Sequence, residues 1–117
     1  MTELIIIHDA PYGNEKAYNA LRHAMTVQKE HSDVKVRIFL MADAVTCAIK
    51  SHITPNGYYN LERMIKSVLL NGGEVKLCGT CIDARGLKDI TLLEGTERSN
   101  MSEFTNWTLD SDKVISF

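Results

Sequence analysis

Three short apolar runs, each following or preceding a stretch of helical periodicity, constrain this chain more than any other feature. Leu4-Ile5-Ile6-Ile7 is continuous rather than alternating, the pattern of a strand buried on both faces, and Ala10-Pro11-Tyr12-Gly13-Asn14 is a turn that closes it. From about Glu15 to Lys29, Ala17, Leu21, Ala24, Met25 and Val27 keep an approximate helical spacing, which ends at His31-Ser32-Asp33. Val34 to Met41 repeats the strand signature. Asp43 then stands where it could cap a short helix over 43–50, and Thr54-Pro55-Asn56-Gly57 breaks that helix. Asn60 caps a better helix, with Leu61, Met64, Ile65, Val68 and Leu69 on one stripe and Asn71-Gly72-Gly73 as its stop. Val75 to Cys78 makes the third strand. Beyond it come a weak segment at Ile90 to Leu93, a turn at Gly95, a helix near Met101 to Leu109 and a final strand at Val114 to Phe117.

Strands alternating with helices need crossover connections that pack each helix back onto the sheet. The expected architecture is α/β, a three-layer α/β/α sandwich with a mostly parallel sheet of four to five strands. A chain of 117 residues fits one domain over 1–117. With 13 Lys and Arg against 15 Asp and Glu there is no basic footprint, so nucleic acid is not an expected partner. No segment reaches the ~20 apolar residues of a membrane span, and Met1-Thr2-Glu3-Leu4 lacks the layout of a secretory signal. The expected address is therefore cytoplasmic, without membrane contact.

In open α/β sheets the chemistry sits outside the carboxyl ends of the strands, which here are His8-Asp9, Met41-Asp43 and Cys78. The run Val75 to Gly86 delivers Cys78 to a helix start, where free backbone N–H groups favour an anionic sulfur. Arg85, seven residues on, is expected to add positive charge and draw the thiol from about 8.5 toward roughly 4 to 7. Cys81 completes a Cys-x-x-Cys pair and opens a reversible-disulfide alternative. Thioredoxin-like proteins, however, pack a proline from a later strand against such a pair, and Pro11 and Pro55 both precede Cys78.

On paper Cys78, Cys81, Cys47 and His52 form a Cys₃His set, but a single Cys-x-x-Cys is a weak metal signal and the Cys47 to His52 spacing has no knuckle geometry. Neither metal nor cofactor is expected. Cys47 reads as a small buried hydrophobe, and Phe104 and Trp107, one turn apart, as core or subunit contact. His8 and Asp9 read as loop residues satisfied by local hydrogen bonds, and His23 and His31 as solvated. Tyr12-Gly13 belongs to no phosphate-binding pattern.

Taken together, Ala10-Pro11-Tyr12-Gly13, Phe39 to Val45, Lys76 to Cys81 with Asp83 and Arg85-Gly86, and Trp107-Thr108-Leu109 with Asp112-Lys113-Val114 resemble the YchN-type branch of the DsrE/DsrF-like family over essentially the whole chain. The resemblance implies a small α/β domain assembled as a homohexamer, related to sulfur-relay proteins in which a strand-end cysteine carries a persulfide. Cys78 falls at that cysteine's position, with Cys81 and Arg85 as its expected companions and sulfur donor and acceptor proteins as expected partners. Relay members can work with one cysteine here, so Cys81 is a departure. A dithiol redox protein and a non-catalytic oligomeric binding module are the alternatives.

Overall fold

The computed structural model describes residues 1–117. Its sheet contains β1 (Thr2–Ile7), β2 (Lys35–Leu40), β3 (Glu74–Cys78), β4 (Thr96–Ser99) and β5 (Lys113–Ser116), in the order β4-β3-β2-β1-β5 with every pairing parallel. The helices are α1 (Lys16–Glu30), α2 (Leu61–Leu70), α3 (Gly79–Ala84) and α4 (Met101–Asp110), with a 3₁₀ segment over Ala42–Ala48. Strand order explains the layers. The chain steps outward from β1 to β4, then crosses back over β2, β3 and β1 to lay β5 on the far side of β1. With right-handed crossovers, that reversal sends α4 to the face opposite α1 and α2.

Both faces are apolar, as the continuous runs require. Ile5, Ile7, Val36, Ile38, Leu40, Val75 and Leu77 join α1 and α2 residues in one core, while Leu4, Ile6 and Phe39 lie on the other side beneath Trp107 and Phe104 of α4. Asn60 caps α2 by accepting the Arg63 N–H at 3.1 Å.

Three expectations fail for physical reasons, and one strand has no counterpart in the sequence pattern. The residues after β2 form a 3₁₀ turn capped by Met41 rather than an α-helix capped by Asp43. Ala42 there has φ 51°, which breaks helical continuity at the start, and the Asp43 carboxylate is drawn to Arg85. Ile90 to Leu93 makes only an isolated bridge, Ile49 to Leu92. The strand beside β3 is β4, whose Thr-Glu-Arg-Ser sequence carries no apolar alternation because it is an edge strand, three of its four residues not fully buried. Finally, His23 is not simply solvated: its Nε2 lies 2.7 Å from Glu3 Oε1 at the flank of β1.

Candidate functional site

Cys78 is both the last residue of β3 and the cap of α3. Its extended backbone (φ −63°, ψ 113°) turns the side chain so that Sγ accepts the Cys81 N–H at 3.3 Å. Cys81 Sγ in turn accepts the Ala42 N–H at 3.2 Å. Each sulfur of the pair thus holds one backbone donor, a contact that strengthens as negative charge collects on sulfur. Ala42 reaches Cys81 only from the left-handed region, which costs a non-glycine residue about 1 kcal/mol or more. Both cysteines are free and half-buried at an open rim.

Arg85 is engaged beside this pair. Its Nε and Nη2 donate to Asp43 Oδ1 at 2.9 and 2.8 Å, and Nη1 donates to the Cys81 carbonyl at 3.1 Å, so it ties the 3₁₀ segment to α3. The expected depression of the Cys78 thiol does not occur within the chain. Burial pushes Cys78 above its ordinary value and the neighbouring Cys81 thiol adds to the rise, outweighing the N–H groups of Cys81 and Thr80.

One cation near Cys78 escaped the sequence reading. Arg98, paired in register with Leu77 on β4, donates from Nη1 and Nη2 to Asp83 Oδ1 and Oδ2 at 2.8 and 2.6 Å. A Cβ placed on Gly79 would come within 2.9 Å of both Arg98 Nε and the Ser99 carbonyl, so glycine is what lets the guanidinium and the β4 backbone close on α3. That glycine directly after Cys78 was the one available signal, and it names no partner. Nothing in sequence marks Ala42.

The Cys₃His set is not assembled. Cys47 is buried in the main core with Sγ 3.8 Å from the Asp9 carbonyl, and His52 Nδ1 is 2.8 Å from the Tyr12 hydroxyl, which also accepts the Leu61 N–H. Burial pushes the Cys47 thiol up to about 12. Cys47 is accordingly expected to resist iodoacetamide in the native protein at neutral pH and to react only after unfolding in guanidinium, which peptide mass mapping would read. His8 Nδ1 lies 3.1 Å from the Phe117 carbonyl, a partner from the far end of the chain rather than a local one, and Asp9 pairs with Lys16 at 3.4 Å.

No enclosed cavity includes Cys78 or Cys81; the two largest clefts, about 400 and 420 Å³, lie among Met25, Gln28 and Asn71 and among Met1, Val27 and Val34. The cysteine pair lies on an open rim outside these clefts.

The sequence pattern of the DsrE/DsrF-like family matches residues 1–117. Protein YchN of Escherichia coli K12 is 38% identical over 114 residues, 97% of each chain. Uncharacterized protein MK0008 of Methanopyrus kandleri is 41% identical over 113 residues, covering 97% of this chain and 91% of its own. The crystal structure of the E. coli YchN protein superposes with a TM-score of 0.91 at 37% identity, covering all of both chains.

Proposed function

Because the chain belongs to the DsrE/DsrF-like family, we propose that it is a sulfur carrier in which Cys78 accepts and passes on a persulfide sulfur. The observation that carries this reading is the placement of Cys78: a strand-end sulfur, half-buried, on an open rim, already holding a backbone N–H at 3.3 Å. The Cys78 thiolate attacks the outer sulfur of a donor R–S–SH. A bond forms between the two sulfurs, the donor S–S bond breaks, and the electron pair leaves on R–S⁻, giving Cys78–S–SH. An acceptor thiolate then attacks the outer sulfur and returns Cys78 as thiolate. Arg85 acts as a positioning residue, holding the Cys81 turn against Asp43.

The family resemblance further supports a homohexamer working in the cytoplasm with protein donors and acceptors, and residues 1–117 acting as one unit. No helix is long and apolar enough to cross a membrane. The raised thiol sets a condition on the first step: the proton on Cys78 must be lost before attack, so reactivity grows with pH. Incubation with an alkyl hydropersulfide is expected to add about 32 Da, one sulfur atom, to the peptide carrying Cys78. Alkylation of Cys78 is expected to keep rising beyond pH ~8.5, the ordinary thiol range. An accessible Cys78 that alkylates and yet takes up no sulfur would sink the carrier reading.

A further inference from the structure

We propose that Arg98 is the cation that recruits a negatively charged sulfane-sulfur donor of thiosulfonate type, R–SO₂–S⁻, to Cys78, with Asp83 as the positioning residue that holds it there. The inference rests on Cys78 being the sulfur acceptor and deepens that reading by naming the class of donor.

Three observations converge on Arg98. Gly79, the residue after Cys78, has no side chain at the point where a Cβ would meet Arg98 Nε at 2.9 Å and Cζ at 3.0 Å, so the guanidinium lies against the backbone that carries the cysteine into α3. Asp83 occupies only the two Nη ends of the guanidinium, one carboxylate oxygen to each. Nε–H and the outer Nη hydrogens have no hydrogen-bond partner in the chain, so the guanidinium keeps donors beyond those Asp83 takes. Arg98 is also about half exposed, so an incoming ligand can reach it.

The charges around the sulfur support this arrangement. Arg98 is stabilised in its charged form by Asp83 and also by Cys78, whereas Asp83 responds to Arg98 and Lys88. Arg85 has no such freedom: its Nε and both Nη groups are committed to Asp43 and the Cys81 carbonyl. With an anionic donor, the Cys78 thiolate attacks the outer sulfur of R–SO₂–S⁻. The S–S bond to Cys78 forms, the bond from that sulfur to the sulfonyl sulfur breaks, and the pair departs on the sulfinate R–SO₂⁻, leaving Cys78–S–S⁻. Two negative charges enter the step and two leave it. A cation is needed because a thiolate and an anionic donor otherwise repel each other.

The test is made in the full-length protein carrying Cys81→Ser, so that only Cys78 reports. Iodoacetate and iodoacetamide share a leaving group and differ by one charge, so the ratio of their rates at Cys78 reads the local field. Arg98→Gln is expected to lower that ratio about fivefold and Arg98→Lys to restore most of it. Sulfur uptake from sodium methanethiosulfonate is expected to fall in parallel in Arg98→Gln, while uptake from an alkyl hydropersulfide, which has no sulfonyl oxygens for the guanidinium to hold, falls less. Added salt gives a check independent of any variant: in the wild-type Arg98 background it should lower the iodoacetate rate and leave the iodoacetamide rate unchanged. A rate ratio indifferent to Arg98, with hydropersulfide uptake intact, overturns the role of Arg98 and leaves the carrier function standing. Failure to take sulfur from either donor overturns the carrier function itself.

Discussion

In Cys81→Ser the persulfide on Cys78 is expected to accumulate, and sulfide release to fall by at least about tenfold, because an intramolecular step becomes an intermolecular one. In the wild type, the Cys81 thiolate can attack the inner sulfur of Cys78–S–SH, forming the Cys78–Cys81 disulfide and expelling HS⁻. The pair is close enough for one thiol to raise the other, and both are free. Each sulfur nevertheless holds a backbone N–H that a disulfide would weaken, from Cys81 to Cys78 and from Ala42 to Cys81. Ala42 sits at φ 51° and loses its acceptor if Cys81 turns away. These contacts slow the resolving step without preventing it, so Cys81 expels the sulfur as HS⁻ when no acceptor takes it first. Quantifying sulfide alongside the Cys78 adduct separates the readings. Equal sulfide release from the wild type and Cys81→Ser would remove any resolving role for Cys81, and a reversible disulfide with no stable sulfur adduct would favour dithiol redox chemistry instead.

The elements that could be read from sequence are those whose side chains alone determine burial. Leu4 to Ile7 lies between two helical layers and shows it by being apolar at every position, and Asn60 announces its cap because one side-chain oxygen meets one free N–H. The strand end carrying Cys78 was legible for the same reason. What stayed hidden depends on partners distant in the chain. Thr96–Ser99 is a strand because β3 offers it an edge, and its own residues carry no period-2 pattern. Arg85 looked like the cation for Cys78 because it is near in sequence, yet its guanidinium is taken by Asp43 and the Cys81 carbonyl, and the same ion pair takes Asp43 out of its expected capping role. Arg98 reaches the site across the sheet, twenty residues downstream of Cys78, through a strand that local pattern did not reveal. The left-handed Ala42 is legible only when Cys81 is in view.

Phe39→Ala is expected to cost about 3–5 kcal/mol, a large share of the roughly 5–15 kcal/mol that holds a domain together. Phe39 is 1% exposed on the face of β2 covered by α4, where its ring meets Phe104 edge-on at 4.9 Å and Trp107 at 6.2 Å between centroids. That face has a single helix over it, and its buried cluster contains only Leu4, Ile6 and Trp107 besides Phe39, so few neighbours can collapse into the space a missing ring leaves. The urea midpoint should fall with little change in slope if the whole protein still unfolds as one unit. A second effect follows from position. Cys78 and Met41 pack against this same cluster, so the cavity opens beside the sulfur. Burial is the largest cause of the raised Cys78 thiol, and relieving it should move the alkylation profile of Phe39→Ala toward lower pH. A destabilised variant whose Cys78 profile stayed in place would show that the sulfur is desolvated by the α1 and α2 side of the sheet instead, and that α4 guards the fold without tuning the site.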